Sequence, residues 1–296
     1  MGITLVVKIG LLDIDGHNFP NLALMKISAF HKKQGDAVEF VNFFEKYDIV
    51  YQSKVFTFTE DNHFHFYASE IIKGGVGYNK KILPIDVEHI CPDYSLYDNY
   101  KIAYGFLTRG CPNKCGWCIV PSTEGNIRGN ADIGEFLDGK KSAILMDNNV
   151  LASEFGLQQI EKIIRLKIKV DFNQGLDARL ITPAIAKLLG KVKWLSPLRL
   201  ACDTQSQMPH IEKAVSLLRE YNATPKAYFV YVLVKDIDDA LIRVEFLRKL
   251  NCDPFAQPYI DFSGKNKVTK EQRNFARWVN HKAIFNSVKW EDYGRQ

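Results

Sequence analysis

Three cysteines fall within eight residues, Cys111-Pro-Asn-Lys-Cys115-Gly-Trp-Cys118, with three and then two residues between them. Thiolates are the ligands of iron–sulfur clusters, and four of them close a 4Fe–4S cube. Three leave one iron with an open position. An open position on a metal is where a substrate or cofactor binds, as at catalytic zinc. The spacing therefore points to a reactive cluster rather than a structural staple. Three sulfurs converging from one short loop force the chain to wrap tightly. Gly116 supplies backbone freedom, and Pro112 restricts the start of the loop. The competing readings are a structural zinc site and inert buried thiols. Zinc usually takes four ligands in two separated pairs. No second C-x-x-C follows, and Cys202 and Cys252 stand alone.

The elements that would position this loop alternate in type. Residues 101–108 read as a buried strand, and Arg109-Gly110 punctuates its end. That puts the cysteines after a strand, on the edge where α/β folds place their chemistry. Further strand-like runs span 142–147, 169–173, 198–203, 227–234 and 254–260, six in all from residue 101. Helical stretches span 154–167, 182–190, 209–221 and 237–250, and Thr182-Pro183 is a good helix start. The first 95 residues show strands at 3–14, 36–41, 48–56 and 70–77. A helix over 22–34 opens at Pro20-Asn21 and is closed by Gly35. Strands separated by helices imply parallel sheets, so residues 1–95 are expected to form a small Rossmann-like parallel-sheet domain. Gly74-Gly75-Val76-Gly77 can cradle a phosphate at a helix start, or simply make a turn. Residues 84–100 lack periodicity and read as a linker. Cys91, before Pro92, reads as structural.

The cysteine pattern resembles the CxxxCxΦC signature of the radical S-adenosylmethionine (SAM) superfamily, with Trp117 at the aromatic position Φ. The resemblance implies an α/β fold: a partial TIM-type (βα)6 barrel over 96–296, with a C-terminal helix, behind the Rossmann-like domain. It implies that Cys111, Cys115 and Cys118 ligate three irons of a 4Fe–4S cluster. The amino and carboxylate groups of SAM would chelate the fourth iron, and Trp117 would pack near the adenine. After the second barrel strand, Asp147-Asn148-Asn149 stands where the family carries a Gly-Gly-Glu-like segment facing the SAM amino group. Its oxygens can accept from an ammonium. After the third come Gln174, Asp177 and Arg179, with Asp177 suited to a ribose and Arg179 to a forked carboxylate contact. Arg199 and Asp203 on the fourth, and Gln257 and Tyr259 on the sixth, complete the polar strand ends. Each is equally read as a helix cap or a surface ion pair, and no catalytic residue is assigned.

Residues 1–95 resemble the cobalamin-binding-like domain found ahead of many radical SAM barrels, through Phe19-Pro20-Asn21-Leu22-Ala23-Leu24 and Gly74-Gly75. Asp15-Gly-His17-Asn-Phe-Pro20 is similar to the D-x-H-x-x-G of cobalamin domains whose His supplies a lower cobalt ligand. Pro20 stands where Gly is expected, and the domain is short, so tight cobalamin binding is not expected.

The chain has 296 residues, 46% hydrophobic and 12% aromatic, with a net charge of +5. No block of like charges occurs, so nucleic acid is permitted as a partner but not indicated. A cysteine trio fits a reducing, intracellular setting better than a disulfide framework. The apolar N-terminus is interrupted by Lys8 and ended by Asp13, which reads as a strand rather than a signal peptide. Met1-Gly2 lacks the Ser or Thr of a myristoylation motif, Val6 standing there. No run reaches membrane-spanning length, so a cytoplasmic protein without a membrane partner is expected. The resemblance implies an enzyme that cleaves SAM to a 5′-deoxyadenosyl radical. An external flavodoxin- or ferredoxin-like donor would supply the electron, and the substrate is open. The alternatives are a tRNA-modifying member such as a methylthiotransferase, or a non-catalytic iron–sulfur protein. Residues 275–290 mix aromatics and bases. They read as an amphipathic helix closing the barrel's open edge, or as a nucleic-acid contact by stacking and charge.

Overall fold

The computed structural model describes residues 6–16, 19–79, 82–97, 100–223, 227–261 and 267–293. The chain divides into two compact units, Met1–Gly105 with Gly134–Lys140, and Phe106–Ile133 with Lys141–Gln296.

In the first unit, strands β1 (Lys8–Asp13), β2 (Ala37–Phe40), β3 (Lys46–Ser53) and β4 (Tyr67–Gly74) form a parallel sheet in the order β2-β1-β3-β4. Helix Leu22–Gln34 is the crossover from β1 to β2. The Asn21 side chain accepts from Leu24 N at 3.3 Å, and Gly35 closes the helix at φ 91°. Leu24 and Ile27 pack with Ile9, Leu11 and Val87. The Rossmann-like expectation holds for the parallel sheet but not for its helices. No helix joins β2 to β3 or β3 to β4. Residues 54–66 instead form an irregular loop pinned by Asp15, whose carboxylate accepts from Val55 N, Phe56 N and Thr59 Oγ1. Asp15 thus braces a loop, and His17, the cobalt-ligand candidate, lies outside the described residues. The glycine turn is explained by close approach. Gly75 sits at φ 93°, and a Cβ on it would lie 2.3 Å from Lys54 O. A turn, not a helix, follows these glycines, so no helix N-terminus faces a phosphate there.

Strand β5 (Ala103–Gly105) and residues 134–140 belong to this unit through Tyr94. Its hydroxyl donates to Phe136 O at 2.7 Å and accepts from Tyr104 N at 3.0 Å. Gly105 is needed there, since a Cβ would lie 2.6 Å from the Phe136 ring.

The second unit begins with a short antiparallel pair, β6 (Thr108–Arg109) and β7 (Arg128–Gly129). Strands β8 (Ser142–Leu145), β9 (Lys169–Phe172) and β10 (Lys193–Trp194) pair in parallel. A separate parallel sheet holds β11 (Leu198–Ala201), β12 (Tyr228–Val234) and β13 (Asp253–Pro258). An isolated bridge, Leu176 to Leu200, lies between the two groups. The result is a mixed α/β fold with parallel sheets and, among the described residues, no closed barrel. Helices Glu154–Leu166, Pro183–Leu189, Met208–Glu220 and Ile237–Lys249 alternate with these strands. Two features depart from the expected six-strand series. The stretch 101–108 breaks between β5 and β6, and β10 is an added edge strand.

Strand β13 ends its sheet. Its free side is met by helix Lys270–Asn280, where the Asn280 side chain donates to Ala256 O at 3.0 Å and accepts from Ala256 N at 2.8 Å. One amide thus satisfies both backbone groups of an edge residue, as a further strand would. Among the described residues no helix is long and apolar enough to cross a membrane.

Candidate functional site

The cysteine loop runs from β6 to β7, and its base is set by a glycine and a carboxylate. Gly110 has φ 80°, and a Cβ there would meet Asn126 O at 2.2 Å, so no other residue fits without moving backbone. Its N–H donates to Glu124 Oε2 at 2.9 Å, and Arg109 Nη1 donates to Glu124 Oε1 at 3.2 Å. Asn148 Nδ2 reaches the same Oε2 at 3.0 Å. Within the loop, Cys118 N donates to Cys115 O at 3.0 Å, which makes the tight turn the spacing requires. All three thiols are free. Cys111 and Cys115 are half-buried and Cys118 is exposed.

Burial pushes the Cys115 and Cys118 thiols up. The neighbouring cysteines push Cys115 further, while Arg179 draws it down. Crowded thiolates repel one another, and a cationic metal centre offsets such repulsion. Among the described residues no group of three His, Cys, Asp or Glu side chains is arranged to hold one metal ion.

Asn149 lies beside this loop and is 3% exposed. Its Nδ2 donates to Asp177 Oδ2 at 3.1 Å and to Cys111 Sγ at 3.6 Å. Its Oδ1 is buried without a hydrogen-bond partner. Asp177 is the hub of the surroundings. It accepts Asn113 Nδ2 at 3.0 Å, and Arg179 Nε and Nη2, both at 2.8 Å. Burial raises its carboxyl, but the Arg179 fork and Asn113 outweigh that and hold it below the usual carboxylate range. The trio, Asn149, Asp177 and Arg179 therefore form one connected group.

The Asp203 carboxylate accepts from Leu233 N at 3.1 Å and is pushed up by burial, with Trp117 among the neighbours that draw it back down. The Lys235 ammonium lies 5.5 Å from the Trp117 ring centroid and 4.3 Å from that of Tyr259.

The remaining candidates are placed otherwise. Asp147 is buried and accepts from Leu107 N, Thr108 N and Thr108 Oγ1, so its carboxylate anchors the start of β6. Burial lifts its pKa to about 6. Arg199 is committed to Asp171 through a fork at 2.9 and 3.0 Å, and to Tyr231 OH at 3.3 Å. Gln174 is exposed and donates to Asn173 Oδ1. Gln257 is exposed on β13. Sequence reasoning did not single out Asn113, Glu124 or Lys235. Asn113 had a signal, since it lies inside the cysteine motif; Glu124 and Lys235 are separated from their partners along the chain and had none.

No family model matches the chain, and no curated protein matches it. Among solved structures, Streptococcus suis SuiB bound to S-adenosylmethionine is similar at TM-score 0.46 and 16% identity, covering 63% of this chain and 48% of that one. A second structure of Streptococcus suis SuiB is similar at TM-score 0.45 and 17% identity, covering 63% of this chain and 46% of that one. The chain thus spans about half the length of the protein it matches. A likeness this distant carries no argument about ligand or reaction.

Proposed function

We propose that this chain is a radical SAM enzyme, with Cys111, Cys115 and Cys118 as ligands of a 4Fe–4S cluster. The observation that carries the reading is the thiol trio on one tight loop, beside a buried amide oxygen that has no partner. The donor set suits the group, since iron–sulfur clusters are held by cysteine thiolates. Asn149 Oδ1 is a ready acceptor beside Cys111, and the ammonium of SAM needs acceptors once water is excluded. Trp117 offers a flat ring for the adenine, with the Lys235 ammonium 5.5 Å from its centroid. Asp177 fixes the Asn149 amide from behind, and Arg179 keeps Asp177 ionised. Bound there, a 4Fe–4S cluster supplies the single electron that cleaves SAM to methionine and a 5′-deoxyadenosyl radical. The electron comes from an outside donor of the flavodoxin or ferredoxin type. The radical's substrate is left open.

The test is anaerobic reconstitution with iron and sulfide, followed by dithionite and SAM. The expected result is about four irons and four sulfides per chain, and release of 5′-deoxyadenosine. Replacing the trio with Ala should abolish both. A full cluster with no 5′-deoxyadenosine would favour a non-catalytic iron–sulfur protein, and a full cluster in the triple variant would refute the ligand assignment.

A further inference from the structure

The two ends of the Asn149 amide can be told apart by chemistry. Asp177 is held ionised by the Arg179 fork, and a carboxylate only accepts. The Asn149 atom 3.1 Å from Asp177 Oδ2 is therefore the NH2 group. That same group lies 3.6 Å from Cys111 Sγ, within donor range of a sulfur. Its two protons thus serve one carboxylate and one thiol. Asp177 is itself fixed on two sides, by Arg179 and by Asn113 of the cysteine loop. The donor has little freedom to turn away, because Asn149 is buried.

We propose that Asn149 sets the reduction potential of the cluster, through an N–H···S bond to Cys111, and that Asp177 is the positioning residue that aims its amide. This rests on the cluster reading above. Reduction by one electron from an outside donor places added negative charge partly on the ligating sulfurs. A donor aimed at such a sulfur stabilises the more negative state and raises the potential. Removing the donor makes the cluster harder to reduce. Asn149 Oδ1 plays no part in this, so the effect must be present without SAM.

The experiment is a redox titration of the cluster's visible absorbance in SAM-free, reconstituted full-length protein, with iron and sulfide counted in each sample. Asn149→Leu keeps the shape and loses the donor. It is expected to retain its iron and sulfide. At a fixed solution potential its reduced-to-oxidised ratio should fall three- to tenfold, and tenfold corresponds to about 59 mV for a one-electron couple. Asp177→Asn tests the positioning role. Losing its charge alone raises the potential equally in any background, but losing its aim matters only where Asn149 is present. The shift caused by Asp177→Asn should therefore differ between the wild-type and Asn149→Leu backgrounds. A fully loaded Asn149→Leu protein with an unchanged midpoint overturns the proposal. Equal Asp177→Asn shifts in both backgrounds overturn the role of Asp177. Asn149→Ala is the second variant, and loss of the cluster from both Leu and Ala variants would mean that Asn149 holds the loop and not the potential. Wild-type protein that takes up no cluster would instead defeat the proposed function.

Discussion

Asp147 is a buried carboxylate and Asp177 a half-buried one, both after parallel strands, yet they are handled in opposite ways. Asp177 has a cation forked onto it and stays ionised. Asp147 has only neutral donors, two backbone N–H groups and a hydroxyl, and burial lifts it from 3.8 to about 6. Its folded value lies above its unfolded one, so the native state binds a proton that the unfolded chain has released. Stability from this group is complete below about pH 4 and is lost as pH rises through about 6, a change of roughly 3 kcal/mol. Urea unfolding of wild type and Asp147→Asn across that window should show stability falling more steeply with pH in wild type. Parallel pH slopes would show that Asp147 is not protonated in the fold. The isolated cysteines give a simpler expectation. Burial lifts Cys202 to about 12 and Cys252 to about 11, which favours the thiol over the thiolate that ligates metal. Ala at either position should leave the iron content of reconstituted protein unchanged, and loss of iron from a folded variant would mean a further ligand.

At the scale of elements, Asn280 is the most exposed to test. It satisfies both backbone groups of Ala256, which is 1% exposed on an edge strand. Asn280→Ala leaves that pair unmet and should cost about 1–3 kcal/mol in urea unfolding; a loss within error would show that water serves the edge as well. How readily each element could be read from sequence follows from where its determinants lie. Helix Pro183–Leu189 was legible because its start is local, with Thr182 Oγ1 accepting from Ile185 N at 3.3 Å. Strand β12 was legible because a seven-residue apolar run needs no partner to be recognised. The break between β5 and β6 was not legible. It depends on Asp147 drawing in the N–H groups of Leu107 and Thr108 from 40 and 39 residues away. Nor was the helix-free loop 54–66, which is organised by Asp15 across the sheet end. The candidate site divides the same way. The cysteine motif and Trp117 are a local pattern. Which of Asp147, Asn148 and Asn149 meets the loop depends on tertiary placement: each carries an oxygen that can accept, but only Asn149 bonds Cys111 and keeps its oxygen open.

At the scale of the molecule, the two units differ in how well their sheets are covered. Strand β12 alternates buried and half-buried residues, with Tyr228, Val230, Val232 and Val234 all at 2% exposure or less. The helices on either side of it in sequence bury Ile211, Ala214, Val215 and Leu218, and Ala240, Val244 and Leu247. In the first unit one long helix serves the sheet, edge strand β4 has no fully buried residue, and Phe44, Phe58 and Phe64 are exposed at 96%, 63% and 73%. Buried apolar area is the main favourable term in folding, so the first unit has less to oppose its chain entropy. Contiguous units of unequal stability open separately, at free energies below that of global unfolding. Native-state amide exchange in low urea should therefore show β1, β3 and β4 exchanging through a smaller opening free energy than β8, β9, β11 and β12. The cysteine loop, Asn149, Asp177 and Asn113 all lie in the second unit. Their hydrogen-bonded frame should stay protected at urea concentrations that have already opened the first. One opening free energy and one urea dependence shared by all these strands would show instead that the chain unfolds as a single cooperative body.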